Sequence, residues 1–224
     1  MLLQNVVGQP SAGGNNAMMN GRSGQLGDAI VSTLHGRFYE TTYQGNTYFG
    51  GHGSLIALSA NTITLTATTT PILGVWNPAS NTNNLVMLQA ALTVVANNLT
   101  SGAGPGVFVW ALSLSNGAIS TGANPYNART LLTSGSAARV FAGNVALTGL
   151  TSNLVVAAGS TLPAPSGVTY TTLASTALLP SYQGVENFDG SIIVPPGGVL
   201  ALLNTTSSTT FSAAGRLCWE EVPV

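Results

Sequence analysis

Lysine is absent from this chain of 224 residues, and its five basic residues are all arginine. Six carboxylates accompany them, so charged residues make up 5% and the net charge is −1, against a usual charged share of about a quarter. No stretch forms a basic stripe. A phosphate backbone needs several cations on one face, so nucleic acid is not an expected partner. One cysteine, Cys218, leaves no internal disulfide to form, which suits synthesis in a reducing compartment. Its neighbours Leu217 and Trp219 mark it as a buried small hydrophobe. No run of 18 apolar residues occurs, so a membrane span is not expected. The opening Met1–Val7 has no basic segment, so a signal peptide is not expected either. The 27 glycines and 11 prolines follow no triplet period, which excludes a collagen-like chain.

Apolar residues make up an ordinary 45%, which excludes disorder of the charged kind. A monomer of 22.6 kDa should expose about 9,500 Å². Eleven charges on that area give roughly one per 860 Å², far below the density of soluble monomers. Either Ser, Thr, Asn and Gly cover the surface, or other chains bury much of it; both are expected.

Residues 1–53 differ in texture from the rest. Gly8–Asn16 is rich in Gly, Asn, Ser and Pro, and Gln25–Leu34 predicts one short helix with Asp28 near its start. The aromatic cluster Phe38, Tyr39, Tyr43, Tyr48 and Phe49 follows. Spaced aromatics with few charges predict an N-terminal arm that lies along a partner and is ordered by binding. With Arg22 and Arg37, these five aromatics are the expected interface residues.

Residues 54–224 read as one all-β domain. Strands are predicted at Ser54–Ser59, Asn61–Thr69, Ile72–Trp76, Leu85–Asn97, Val107–Ser115, Arg139–Leu147, Leu154–Ala158, Thr169–Leu179, Gly190–Val194, Val199–Asn204 and Thr210–Val222. Phe108, Trp110, Leu112 and Leu114 share a face by period two. Asn77–Asn84 and Pro195–Gly198 are dense turn signals, and the second predicts a hairpin over Ile192–Asn204. Such strands, with turns every 8–15 residues, predict an antiparallel β-sandwich, jelly-roll-like.

Chemistry is hard to place on this chain. His35 and His52 stand 17 residues apart with Glu40 between them, a poor match to a zinc set. Glu186 and Asp189 are the one carboxylate pair worth testing, but their spacing misses a calcium loop and fits a turn. Glu220 and Glu221 are adjacent, so a strand sends them to opposite faces. No Gly-x-Ser-x-Gly elbow occurs, and Gly102–Gly106 lacks the lysine of a phosphate loop. The sequons at Asn98 and Asn204 carry little weight without a secretory signal. No enzyme activity, cofactor or metal is expected. Trp76, Trp110 and Trp219 read as core or interface anchors.

Two pairs of segments carry a resemblance. Gly190–Leu202 with Cys218–Pro223, and Leu34–Glu40 with Val75–Ser80, resemble virion proteins of tailed bacteriophages. The resemblance implies a cement or decoration protein: a jelly roll sitting as a trimer on the capsid exterior and bound to the major capsid protein. It implies synthesis in the host bacterial cytoplasm and no catalytic residue. A tail or head-fibre component that binds a receptor or carbohydrate is the alternative. Its contacts would lie in loops Ser115–Ser136 and Ser160–Ser166, with Tyr126 as the loop aromatic.

Overall fold

The computed structural model describes residues 38–58, 71–96, 108–114, 122–133, 135–142, 155–160, 181–204 and 208–224. Among these residues one short helix, α1 (Tyr39–Gln44), leads into eleven strands. They are β1 (Thr47–Leu58), β2 (Leu73–Trp76), β3 (Asn83–Ala96), β4 (Phe108–Leu114), β5 (Tyr126–Asn127) and β6 (Arg139–Ala142). Then follow β7 (Val155–Ser160), β8 (Ser181–Asn187), β9 (Ile193–Val194), β10 (Gly198–Asn204) and β11 (Ser208–Pro223).

Every strand pair is antiparallel. Sheet 1 has the order β5-β1-β11-β3-β8, with β9 also on β3; sheet 2 has the order β6-β2-β10-β4-β7. The pairings β1 with β11, β2 with β10, β3 with β8 and β4 with β7 describe one long hairpin, folded so that its strands alternate between sheets. That is jelly-roll connectivity, and the antiparallel sandwich predicted from the sequence is the fold. The connection between β4 and β7 adds β5 to the β1 edge of sheet 1 and β6 to the β2 edge of sheet 2.

The core follows from strand alternation. Leu217 and Trp219 of β11, Leu85, Met87, Leu92 and Val94 of β3, and Tyr48 of β1 face inward from sheet 1. Leu73, Val75, Trp110, Leu200 and Leu202 meet them from sheet 2. Each large side chain removed from water contributes about 1.5–3 kcal/mol. Leu88 is an extra residue in β3, because Cys218 opposes Gln89 while Trp219 opposes Met87. The carbonyl of that bulged residue accepts the amides of Phe188 and Asp189, which fastens the turn after β8 to β3.

Sheet 2 is apolar on its other face as well. Ala111, Phe141, Val199, Ala201 and Leu203 form a second buried cluster, with Trp76 packed against it. All of Gly198–Asn204 is therefore buried, the condition under which a strand reads as a continuous apolar run. Gly74 permits this packing, since a Cβ there would collide with the Phe141 ring.

Two expectations need correction. Residues 47–53, assigned to the arm, form the first half of β1, because they pair with β11 along the centre of sheet 1. Ile192–Asn204 is not a hairpin: Val194 pairs with Leu85 in sheet 1, whereas Val199 pairs with Trp76 and Ser113 in sheet 2. The tight turn is present, with Gly198 donating to the Pro195 carbonyl at 2.8 Å. Buried Asn77 makes it a corner between the sheets. Its Nδ2 donates to the carbonyls of Val194 (3.0 Å) and Asn83 (2.9 Å), and its own carbonyl accepts from Gly197. The predicted helix over 25–34, the strands over 61–69 and 169–179, and residues 1–37 of the arm lie outside the described residues.

Candidate interaction surface

The β5 edge of sheet 1 is built around one buried amide. Asn127 follows Pro125 and Tyr126 and pairs with Tyr48 of β1. Its Nδ2 donates to the carbonyl of Gly45 at 2.6 Å, and its Oδ1 accepts the amides of Arg129 (3.0 Å) and Thr130 (3.1 Å). Its backbone closes the loop: its amide donates to Leu132, and its carbonyl accepts from Leu131, both at 2.9 Å. An Asn side chain that bonds amides two and three residues on is a turn-former.

This loop holds Leu131 at φ 59, in the left-handed region, which costs a residue with a Cβ roughly 1–2 kcal/mol. The strain does not serve the core: Leu131 is 65% exposed and Leu132 60%. Tyr43 of α1 and Tyr126 of β5 are also exposed. Tyr126 stacks on Phe49 with ring centroids 5.8 Å apart. Arg129 donates to the Tyr43 carbonyl at 2.8 Å, and its guanidinium lies 5.2 Å from the centre of the Tyr43 ring. Helix α1 is held against β1 by Thr41 and Thr42, whose hydroxyls meet that of Thr47 at 3.2 Å.

Comparison with known protein families, curated proteins and solved structures finds no match.

Of the interface residues predicted from sequence, Arg22 and Arg37 lie outside the described residues. Phe38 is half-buried and Tyr39 exposed. Tyr43 belongs to the surface just described, and Phe49 forms its floor. Tyr48 does not belong to it, because alternation along β1 turns the ring inward, 7% exposed and stacked 6.5 Å from Trp219. Burial holds the Tyr48 phenol above its ordinary range; the hydrogen bond with Asn127 opposes the rise and the Glu221 charge adds to it. Arg129, Leu131 and Leu132 were not singled out by sequence.

The other polar groups fasten the sandwich. Glu221 points inward, while adjacent Glu220 points outward and is half-buried. Buried Glu221 accepts from the Ser136 hydroxyl, from Asn83 Nδ2 at 3.2 Å and from Trp219 Nε1 at 3.5 Å, tying β3, β11 and the segment before β6. Glu186 turns between the sheets, where Trp110 Nε1 donates to it at 2.7 Å; Asp189 is exposed in the next turn. Among the described residues no three His, Cys, Asp or Glu gather closely enough to hold a metal ion. His35 lies outside the described residues, and His52 stands opposite Gly215. Asn204 of the second sequon is buried.

Cys218 is half-buried on the outer face of sheet 1 rather than in the core, because the inward positions beside it belong to Leu217 and Trp219. Burial raises its thiol above the usual range, and nearby Arg216 lowers it in part.

Proposed function

We propose that this chain is a structural virion protein of a tailed bacteriophage: a decoration or cement protein that binds the exterior of the head as a trimer. One observation carries the reading. A buried asparagine holds two leucines out into water, one of them in a strained backbone conformation, on a sandwich with very few charges. Strain held at a surface points to use there. The use that fits is contact with other protein, in the shell or in a sister chain.

The jelly roll is compatible with this role, since the fold occurs in viral capsid and lectin domains, although a fold alone assigns no function. Copies arrayed on a lattice reach high avidity through individually weak contacts. A surface with so little charge keeps those contacts when salt changes. Residues 1–37 would extend across capsid subunits or a neighbouring copy.

The test is to locate the protein on the particle. Gold-labelled antibody against the chain, imaged on purified particles, should decorate the head exterior at regular positions. Label confined to tails or fibres, or to no particle, sinks the assignment. The exposed Tyr126 ring lying on Phe49 favours a second reading, a carbohydrate-binding head, because sugars stack on such rings. Glycan-array binding that disappears in Tyr126→Ala would put this reading first.

A further inference from the structure

Register sets two rows side by side on the outer face of sheet 1. Tyr126, Phe49, Cys218, Gln89 and Asn187 stand in the first, from β5 to β8. Gly51, Arg216, Ala91 and Val185 stand in the second. We propose that these rows bind an acidic glycan, with one sugar ring on Tyr126 and a sugar carboxylate at Arg216. The site rests on the carbohydrate reading given above and names its ligand class.

Arginine decides what this face has to offer. Arg216 Nη2 donates to Gln89 Oε1 at 3.4 Å, and Gln89 Nε2 donates to Asn187 Oδ1 at 3.0 Å. A guanidinium has donors and no acceptor, so it turns the Gln89 oxygen toward itself. The Gln89 nitrogen then faces Asn187 and claims that oxygen in turn. What is left over is one-sided: Asn187 Nδ2 and the other N–H groups of Arg216, all of them donors. Such a face calls for a ligand rich in acceptors.

Charge makes that ligand an anion. Arg216 is exposed and meets no carboxylate among the described residues. Glu220, the anion on the same face, stands four residues along β11, about 13 Å away, beyond a screening length of about 8–10 Å. Past the β5 edge, Arg129 is engaged with Tyr43 and Glu40 with Gln44; Asp189 lies past the end of β8. One cation is too few for a phosphate backbone but suits a single carboxylate, which a guanidinium can hold through two parallel bonds. Gly51 keeps the β1 flank of Arg216 bare, since a Cβ there would lie 3.0 Å from Arg216 Cβ. On the β3 flank Ala91 carries only a methyl.

The aromatic end selects sugar. The Tyr126 ring is 47% exposed and lies nearly parallel to Phe49, at 24°. Phe49 backs one face of the ring, and the other can take the C–H face of a pyranose while its hydroxyls reach the donors. Two strand spacings of about 4.8 Å and one same-face step of about 6.8 Å put Tyr126 about 12 Å from Arg216 across the sheet. That span takes more than one ring, so the ligand is an oligosaccharide. Gly51 and Cys218 lie between the two ends and are small. A protein partner would instead want an apolar anchor at the centre of the patch.

The experiment puts the full chain on an array of sialylated and uronate-bearing glycans beside their uncharged counterparts, with apparent Kd read from dilution series. Acidic glycans should bind more tightly. Arg216→Gln should weaken them roughly tenfold or more, the worth of a charge-assisted pair, and leave uncharged glycans unchanged. Tyr126→Ala should weaken both kinds. Both positions are exposed, so far-ultraviolet circular dichroism should match the parent. Equal binding of acidic and uncharged glycans, or indifference to Arg216→Gln, overturns the acidic site and leaves the carbohydrate reading standing. Binding to no glycan overturns both. A polyglutamate peptide bound as tightly as the acidic glycans, with the same dependence on Arg216, also overturns the assignment to sugar. Particle labelling decides the decoration reading separately.

Discussion

Glu221 shows how a carboxylate is kept in a nearly dry position without a cation: Ser136, Asn83 and Trp219 all donate to it. Glu221→Leu removes the acceptor and leaves three donors facing apolar volume. A loss of about 2–4 kcal/mol is expected, read as a lower urea midpoint at unchanged slope. Glu220, the outward neighbour, titrates in the opposite sense to a paired carboxylate. Burial raises its folded pKa, so its favourable contribution is complete below the ordinary carboxylate range and is lost as pH rises through the folded value. Glu220→Gln should therefore melt about 1 °C higher than the parent at neutral pH and together with it at pH ~3, a small effect because the group still meets water. The two glutamates differ because strand geometry sends neighbours to opposite faces, and that much was legible in the sequence. Their partners were not, since Ser136 and Asn83 are 85 and 138 residues away from Glu221.

At the scale of the element, the strands that sequence located best have one unmistakable pattern. In β11 apolar residues alternate around Leu217 and Trp219, and in β10 an unbroken apolar run reflects burial on both faces. β8 gave no signal because Gly184 and Glu186 on its inward side present no apolar row. The Pro195–Gly198 turn was recognised but not its destination: turn residues fix local backbone, while the sheet that a strand joins depends on distant partners such as Asn77. The loop carrying Leu131 and Leu132 gave no signal because two leucines in a polar stretch have no period. Leucine, moreover, is not a residue expected at positive φ. Leu131→Asn should relieve that strain, raising the melting temperature by about 1–4 °C while weakening assembly in ultracentrifugation. Gly74→Ala tests the packed outer face of sheet 2. The added methyl meets the Phe141 ring and lies 2.6 Å from the Leu200 carbonyl, so a loss of about 2–3 kcal/mol is expected.

For the whole molecule, scarcity of charge sets the response to solvent. Moving from about 0.05 M to about 1 M sodium chloride shortens the screening length several-fold. With five cations and six anions in the chain there is little to screen, so the melting temperature should move by less than about 2 °C in differential scanning fluorimetry. A shift of 5 °C or more would point to an ionic network. The order of the strands also sets when the fold can form. β11 lies between β1 and β3 in sheet 1, and β10 lies between β2 and β4 in sheet 2. A ribosome that has translated only the first 190 residues has made the flanks of both sheets and the middle of neither. The nascent chain must wait for residues 198–223 before either layer can close, so an unfinished polypeptide carries the edge strands without the middle strands that join them into sheets, and cannot take a native place in an assembly under construction.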